Sequence, residues 1–472
     1  MINKNRFYKL LMNIFLFLII FIIFILYKYY SLSISLKNVT LIGTIINIYI
    51  IISFYRENKS IKSAYFLFQF LSIPFLYGLI FCRYVLNYIP KGEFDYSFLV
   101  TESSQTLAVM LTILCQISMN IGYIITNKSK AIDNETNNQK VVEQLSCFII
   151  VGIILMVISG IPTIMKYYKT LQICIQYGYK GEILSRNVGI NSIAGKLIPF
   201  FYMGILFLLY GFKANKKISL YIFIFGLLFY GSQIIFGERG KPLLEVLCLI
   251  WFYNYYIRKI KFKKIIVIIF LSFFLMAFLN VIQDVRSKGI QYWIGNIDEL
   301  MVENIVEKNP ILELNYEVGQ TIYPTAYTIK YIPNKTGYKY GSNYLYALCS
   351  VIKINTSSKR DNEFNTKMNI AEEISKVSGA AWGGSYTQEL YANFGWISII
   401  IMFFVGVIFE KIDEKLYINK RGISAILITY TLSSLLWTIR NTTCSMPRIV
   451  FWYILPTYIL YVIILKRRYK NG

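Results

Sequence analysis

The sequence contains no histidine, although it is 472 residues long. Histidine is the commonest general base at neutral pH and the commonest transition-metal ligand, so other groups must do any acid–base chemistry here. The seven cysteines include no CxxC pair, and the sequence has no HExxH, P-loop or DxD motif. These absences disfavour a metalloprotease, a nucleoside triphosphatase and a metal-dependent sugar-nucleotide transferase.

Charged residues are also scarce, at 16%, whereas 56% of the chain is hydrophobic. Apolar runs recur that can each cross a hydrocarbon core of roughly 30 Å. We therefore predict an all-α integral membrane protein with about twelve transmembrane helices. The first run is expected to be retained, because no small-residue cleavage site follows it. The predicted spans are 10–27, 39–55, 64–82, 107–125, 144–163, 197–212, 219–236, 242–257, 265–283, 390–409, 423–439 and 449–465.

Positive charge alternates along the connections between these spans. The formal net charge is +24, and much of the excess lies in every second short connection, such as the basic run at 258–264. The positive-inside rule places those connections, and both termini, in the cytoplasm. The topology thereby explains the charge excess without a nucleic-acid partner.

One long polar segment, residues 284–389, interrupts the apolar runs, and the topology places it outside. Its many tyrosines, mixed with apolar and polar residues, indicate a folded cap rather than a disordered tail. We call residues 284–389 the cap segment. Three domains are therefore predicted: a transmembrane bundle of about nine helices at 1–283, the cap segment, and about three C-terminal helices at 390–472.

A basic turn at 237–242, with the sequence GERGKP, lies at a predicted outer junction. Its glycines permit a tight turn, and Pro242 suits the first turn of a helix. Arg239 and Lys241 would face an anion there, with Glu238 between the two glycines. Two simpler interpretations remain open: the cations contact lipid headgroups, or Lys241 pairs with Glu245 one turn further on.

Three further arginines are predicted at the same face. Asp284 and Arg286 follow the ninth span and would share a side of the helix if it continues outward. Arg440 and Arg448 flank a short hairpin that contains no acidic residue. Guanidinium groups bind phosphate through two parallel hydrogen bonds, so these arginines either contact headgroups or clamp a phosphate.

Glu389 lies at the predicted membrane edge, where a carboxylate is costly unless it is paired or faces a wet cavity. Gly383 and Gly384 precede it and could let the backbone approach a ligand closely. The alternative is a loop hinge followed by an interfacial belt of aromatic residues. The unusual place of the carboxylate favours a functional role.

In this order, these features resemble the bacterial oligosaccharide repeat-unit polymerases, the Wzy-type O-antigen and capsule polymerases. The likeness rests on the many-span plan, the large outer segment before the last helices, and the sequences GERGK at 237–241 and ELYANFG at 389–395. It implies a GT-C-like architecture in the bacterial cytoplasmic membrane. It also implies a glycosyltransferase that moves a glycan from undecaprenyl pyrophosphate to a hydroxyl of the next lipid-linked unit, at the outer face, without a metal or other cofactor.

The resemblance also implies roles for the residues identified above. The acceptor hydroxyl needs a base, and fixed cations must stabilise the departing pyrophosphate. Related ligases place a histidine in the outer region, which this chain cannot do. The candidate bases are Glu389, Glu238 and Asp284, and the candidate pyrophosphate ligands are Arg239, Lys241, Arg286, Arg440 and Arg448.

The expected partners are undecaprenyl-pyrophosphate-linked oligosaccharides, with a chain-length regulator and a flippase as further candidates. The alternative function is itself that of a flippase or transporter of lipid-linked oligosaccharides, which would also need cations for pyrophosphate. Few ionisable residues lie within the predicted spans, whereas transport paths usually place them at mid-membrane. An acyltransferase is disfavoured by the missing histidine.

Overall fold

A computed structural model shows a helical protein. It describes residues 4–58, 63–90, 96–127, 145–177, 192–235, 240–259, 309–352, 359–380, 382–418 and 422–471, together with 295, 296, 298 and 302. All regular structure within these ranges is helical, and no strand occurs in them. The prediction of an all-α protein is confirmed at this level.

The longer helices follow one another along the chain, and several are extended by a short 3₁₀ or π turn. They are α1 (Lys4–Tyr29), α2 (Leu36–Asn58), α3 (Ala64–Ile80), α4 (Glu102–Thr126), α5 (Leu145–Tyr177), α6 (Ser192–Leu197), α7 (Pro199–Gly211), α8 (Lys216–Ile235), α9 (Gly240–Phe252), α10 (Pro310–Gly319), α11 (Ile322–Tyr331), α12 (Ser342–Cys349), α13 (Lys359–Met368), α14 (Ile370–Ser378), α15 (Tyr386–Phe394), α16 (Ser398–Ile418), α17 (Gly422–Trp437) and α18 (Leu455–Asn471).

Among the described residues, eight helical segments are long and apolar enough to cross a membrane, and α17 is a shorter apolar helix. The chain is therefore a multi-pass membrane protein. A helix lies at each predicted span except 265–283, which falls outside the described residues. The structure divides the span predicted at 390–409, because α15 ends at Phe394, a 3₁₀ turn follows at Gly395–Ile397, and α16 begins at Ser398.

The chain forms two compact units, each built from separated segments. Unit 1 comprises Met1–Lys140, Asn315–Asn419 and Thr438–Pro447. Unit 2 comprises Val141–Leu314, Lys420–Trp437 and Arg448–Gly472. Most of the described part of the cap segment belongs to unit 1.

Helix α4 forms the centre of unit 1, where it packs against α1, α2, α11 and α16. Gly122 of α4 faces the backbone of Phe403, and Gly406 of α16 faces the backbone of Met119, with no room for a Cβ at either glycine. Small residues of this kind let transmembrane helices approach closely, which increases van der Waals contact where lipid offers no hydrophobic driving force.

Polar side chains also join α4 to its neighbours. The Gln116 side-chain oxygen accepts hydrogen bonds from Asn47 Nδ2 and from the Tyr77 hydroxyl, both at 2.6 Å. The Ser118 hydroxyl donates to the Ile399 carbonyl at 2.6 Å. All these groups are buried, so each bond satisfies polar atoms that lipid could not, and each contributes roughly 0.6 kcal/mol on average to helix association.

The described part of the cap segment folds into five short helices, α10 to α14, followed by the first residues of α15. Helix α11 packs on α4, α3 and α15. Tyr316 and Tyr323 are each 1% exposed, so these cap tyrosines are core residues. The described residues of the cap segment are therefore folded, with tyrosines in their core.

In unit 2, helix α5 packs along α7, and α9 packs against both α8 and α17. Gly152 and Gly204 line the contact between α5 and α7: a Cβ on Gly152 would lie 2.8 Å from the Leu208 side chain, and one on Gly204 would lie 2.9 Å from Met156 Cγ. Helix α18 packs against α5. The same small-residue contact therefore organises both units.

Candidate functional site

Helix α15 begins at a serine cap directly after the two glycines. Ser385 has extended backbone angles, and its hydroxyl accepts a hydrogen bond from the Gln388 N–H at 3.0 Å, so one of the free N–H groups of the first turn is satisfied. The Tyr386 N–H is bonded to the Thr438 carbonyl at 3.0 Å. These contacts fix the start of α15 and thereby place Glu389 in its first turn.

The Glu389 carboxylate is 0% exposed and is held by two neutral donors. Asn343 Nδ2 donates to Oε1 at 2.9 Å, and the backbone N–H of Thr443 donates to Oε2 at 2.6 Å. Within the described ranges, no lysine or arginine bonds to this carboxylate. The side chain is therefore oriented by an amide on each oxygen rather than held in an ion pair.

Asn393, one turn after Glu389 on α15, ties α15 to the loop before α12. Its Nδ2 donates to the Glu389 carbonyl at 2.8 Å, and its Oδ1 accepts from the Gly341 N–H at 2.9 Å. The N–H groups of Lys339 and Tyr340 bond to the carbonyls of Ala392 and Asn393, each at 3.0 Å. The loop thus runs along α15 and delivers Asn343 to the carboxylate.

That loop turns sharply just before α12. Tyr340 and Gly341 both have positive φ, 48° and 82°, in the left-handed region that glycine tolerates best. A side-chain-bearing residue in that region is strained, and such strain is often retained at functional sites. The turn directs the chain so that α12 begins beside the end of α15.

Tyr344 lies next to this carboxylate on α12. Its ring stacks on Phe394, with centroids 6.3 Å apart. Burial, together with the negative charge of Glu389, raises the pKa of the Tyr344 hydroxyl far above its usual value, while hydrogen bonds with the Thr443 and Asn393 side chains act in the opposite direction. Tyr344 is therefore a neutral hydroxyl at neutral pH.

Gly383 and Gly384 make a close approach, but to the chain itself. A Cβ on Gly383 would lie 3.0 Å from the Arg440 carbonyl oxygen, and one on Gly384 would lie 2.9 Å from Thr442 Cγ2 and 3.1 Å from Ala371 Cβ. The glycines therefore let the segment before α15 pack against residues 440–442. This packing brings the Thr443 N–H to Glu389.

The structure places the other predicted site residues as follows. Arg440 is half-buried in unit 1, with its Cγ about 4.0 Å from where a Cβ of Gly383 would lie. Lys241 forms a 3.9 Å ion pair with Glu245, as one of the simpler interpretations required, and its side chain is half-exposed. Arg448 is half-buried in unit 2. Glu238, Arg239, Asp284 and Arg286 lie outside the described residues.

Three residues of the Glu389 site were not predicted from the sequence as site residues, namely Asn343, Tyr344 and Thr443. Asn343 and Thr443 are 46 and 54 residues from Glu389 along the chain, so no local spacing connects them to it. The segment ELYANFG, which contains Asn393, carried the only available signal. Across the described ranges, no three cysteine, aspartate or glutamate side chains converge in a way that could hold a metal ion.

Comparison with known proteins gives a family for this chain. A family model described as "O-antigen polysaccharide polymerase Wzy" matches residues 10–471. The chain is also 23% identical over 353 residues to the Staphylococcus aureus protein named CapE, covering 72% of this chain and 71% of that protein. No solved structure matches the chain.

Proposed function

Because the chain belongs to the O-antigen polysaccharide polymerase Wzy family, we propose that it acts on repeat units linked to undecaprenyl pyrophosphate. As a member of that family it polymerises O-antigen or capsule repeat units, and its substrate is a lipid-linked oligosaccharide. The predicted lipid carrier, which must leave as an anion, accounts for the basic residues that the sequence places at predicted outer junctions.

We propose that the reaction takes place at the outer face of the bacterial cytoplasmic membrane, with about twelve spans, both termini inside and a GT-C-like architecture. The alternation of positive charge along the connections supports this orientation. The cap segment would then lie outside, above the membrane edge at which α15 begins. A chain-length regulator and a flippase are proposed as partners.

The proposed chemistry is glycosyl transfer. A hydroxyl of the acceptor repeat unit attacks the anomeric carbon of the donor glycan, and a new glycosidic C–O bond forms. The bond between that carbon and the pyrophosphate oxygen breaks, and undecaprenyl pyrophosphate leaves with the bonding electrons. The hydroxyl proton passes to a carboxylate, and we propose that no metal is needed, because fixed cations can stabilise the pyrophosphate.

We propose Glu389 as that carboxylate, and the observation that carries the proposal is its burial between two neutral donors. A carboxylate held by arginine is committed to its ion pair, whereas one held by an amide and a backbone N–H is only oriented. The acceptor hydroxyl would reach Glu389 by displacing Tyr344 from its side, while Asn343 keeps the carboxylate oriented. Glu238 and Asp284 are the other candidates.

For the pyrophosphate we propose the basic residues named from the sequence. Guanidinium groups can hold two phosphate oxygens at once, which favours the arginines over Lys241. The ligands proposed are Arg239, Lys241, Arg286, Arg440 and Arg448.

Reconstitution of the purified protein tests this function directly. In proteoliposomes supplied with lipid-linked repeat units alone, we expect a ladder of longer lipid-linked glycans and one undecaprenyl pyrophosphate released for each bond formed. Glycan length is read on gels and the released lipid by chromatography. Repeat units that cross the bilayer without becoming longer would instead show the flippase alternative.

A further inference from the structure

A cavity of about 100 Å³ lies within unit 2, separate from the Glu389 site. Its walls come from the C-terminal parts of α5 and α8 and the N-terminal turns of α7 and α9. The chain order places these four helix ends at one face of unit 2, the face that the charge pattern predicts to be external. One water molecule needs roughly 10–15 Å³ of such volume, so the cavity can take a larger polar group.

Three charged side chains line the cavity. Lys166 lies on α5 and is half-buried, while Lys241 and Glu245 lie one turn apart on α9. The ion pair between Lys241 and Glu245 spans 3.9 Å, which is longer than a hydrogen bond, and the Lys241 side chain is 52% exposed. Two cations and one carboxylate therefore border the cavity, and Lys241 can turn toward an anion at little cost.

Aromatic rings form the rest of the wall. Tyr167 stacks on Phe229 with centroids 5.6 Å apart, and Tyr202 meets Tyr230 edge to face at 5.2 Å. The Tyr167 hydroxyl is bonded to the Ser232 hydroxyl at 3.1 Å, and the Tyr202 hydroxyl donates to the Glu245 carbonyl at 2.9 Å. These bonds fix the rings in place.

Gln233 also lines the cavity, and its side chain is partly exposed. A side-chain amide offers two N–H donors and a carbonyl acceptor, which matches the paired donor and acceptor character of a sugar hydroxyl. The cavity therefore has cations that can bind an anion and aromatic rings that can pack against an apolar surface. Its amide and its carboxylate can form hydrogen bonds with hydroxyl groups.

We propose that this cavity is a sugar-phosphate subsite of the polymerase. Lys166 and Lys241 bind the phosphate that is linked directly to a sugar, and that sugar packs against Tyr167 while its hydroxyls bond to Gln233 and Glu245. The cavity is too small for an oligosaccharide, so only the junction between sugar and phosphate enters it. The assignment rests on the proposed function, because the ligand is part of the lipid-linked repeat unit.

Binding to the full-length protein in lipid nanodiscs tests the phosphate contact. The probes are inorganic pyrophosphate, farnesyl pyrophosphate and the purified lipid-linked repeat unit. Lys166→Gln should weaken binding of all three by about tenfold, as expected for the loss of one charge-assisted hydrogen bond. Lys166→Arg should keep most of it. If farnesyl pyrophosphate alone is affected, the cavity recognises the prenyl-linked pyrophosphate and not the sugar-linked phosphate, and the subsite assignment is overturned.

Lys169→Gln is the matched control, because Lys169 lies on the same helix, three residues further on, and does not line the cavity. It should bind every probe as the unchanged protein does. Equal weakening by Lys166→Gln and Lys169→Gln would mean that general positive charge attracts the probes, and it would overturn the proposal. Unchanged binding in a folded Lys166→Gln protein would do the same.

The sugar contact is tested with Tyr167→Leu and its neighbour Tyr168→Leu, since Tyr168 is 57% exposed and does not line the cavity. Only Tyr167→Leu should weaken binding of the repeat unit, by about fivefold, and it should leave inorganic pyrophosphate binding unchanged. If Tyr167→Leu weakened the binding of both the repeat unit and inorganic pyrophosphate, or of neither, the sugar assignment would be overturned. These binding results do not depend on turnover, so they stand whether or not Glu389→Gln abolishes polymerisation.

Discussion

Glu389 combines two properties that usually exclude each other: it is buried, and within the described residues no cation neutralises it. Burying an unpaired carboxylate is expensive, and here an amide and a backbone N–H reduce that cost. Leucine at this position would avoid that cost, but it would leave the Asn343 side-chain N–H and the Thr443 backbone N–H without their acceptor. We propose that this carboxylate accepts a proton in the reaction.

Glu389→Gln tests that explanation. Glutamine keeps the size of the side chain but cannot take a proton, so the polymerisation rate should fall on the order of a hundredfold or more. The rate is measured with purified protein and lipid-linked repeat units. Glu372→Gln, which removes an ion pair with Lys376 on the cap helix α14, is the control and should retain full activity.

Because glutamine would point an N–H group at one of the two donors, the amount and melting temperature of the Glu389→Gln protein must be measured beside its rate. A folded variant that polymerises at the unchanged rate would transfer the role of base to Glu238 or Asp284. A folded but inactive variant supports Glu389.

Asn343→Ala removes one of the two groups that orient the carboxylate. A hydrogen bond to a charged group contributes about 1.5–3 kcal/mol, so we expect kcat to fall by tenfold or more, with a smaller change in KM. Asn334→Ala is a suitable control, because Asn334 is exposed and its side chain bonds only to the Lys330 carbonyl in the described structure. A change confined to KM would show that Asn343 contacts substrate and does not position Glu389.

Arg239 is the basic residue for which the sequence makes the sharpest prediction. Arg239→Ala should abolish polymer while the protein remains in the membrane, because the pyrophosphate loses two parallel hydrogen bonds. Arg239→Lys should recover only part of the activity, since the ammonium group of lysine cannot form the two parallel hydrogen bonds that a guanidinium group forms with phosphate. Gels show the length of the glycan, and immunoblots show the amount of protein in the membrane. Full activity of Arg239→Ala would contradict the prediction and would favour the interpretation that Arg239 contacts lipid headgroups.

At the scale of elements, the apolar runs were enough to locate the long apolar helices. The length of an apolar run determines whether it can cross the membrane as a helix. A helix is found at each predicted span that the structure describes. The break between α15 and α16 was missed, because Gly395, with φ of 57°, interrupts an apolar run whose composition continues. The short cap helices were not predicted either, since tertiary contacts stabilise helices of eight to ten residues.

Only part of the candidate site could likewise be predicted from the sequence. Glu389 could be found from sequence, because a carboxylate at a membrane edge is unusual in itself. Its partners could not, since Asn343 and Thr443 reach it only after α12, α15 and the 440–443 turn have packed together. The sequence predicts that Gly383 and Gly384 could let the backbone approach a ligand closely, whereas in the structure they approach residues 440–442.

The packing of that turn gives a prediction of its own. Gly384→Ala would place a Cβ 2.9 Å from Thr442 and 3.1 Å from Ala371, and overpacking of this kind costs about 1–3 kcal/mol. We expect a lower melting temperature and lower activity, because the turn would move the Thr443 N–H away from Glu389. Gly231→Ala, where a Cβ meets nothing within 4 Å on helix α8, should lower neither quantity. Unchanged activity in Gly384→Ala would show that the turn does not position Glu389.

At the scale of the whole molecule, the proposed reaction depends on which face of the membrane holds the cap segment. Charge alternation predicts that residues 284–389 are external and that the basic run at 258–264 is cytoplasmic. A cysteine introduced near position 300 should therefore react with an impermeant maleimide in intact cells, whereas one at position 262 should react only after the cells are opened. The chain's own cysteines are removed first, because Cys349 is exposed. The reverse labelling would place Glu389 and the cap segment on the cytoplasmic side, and it would overturn the proposed site of polymerisation.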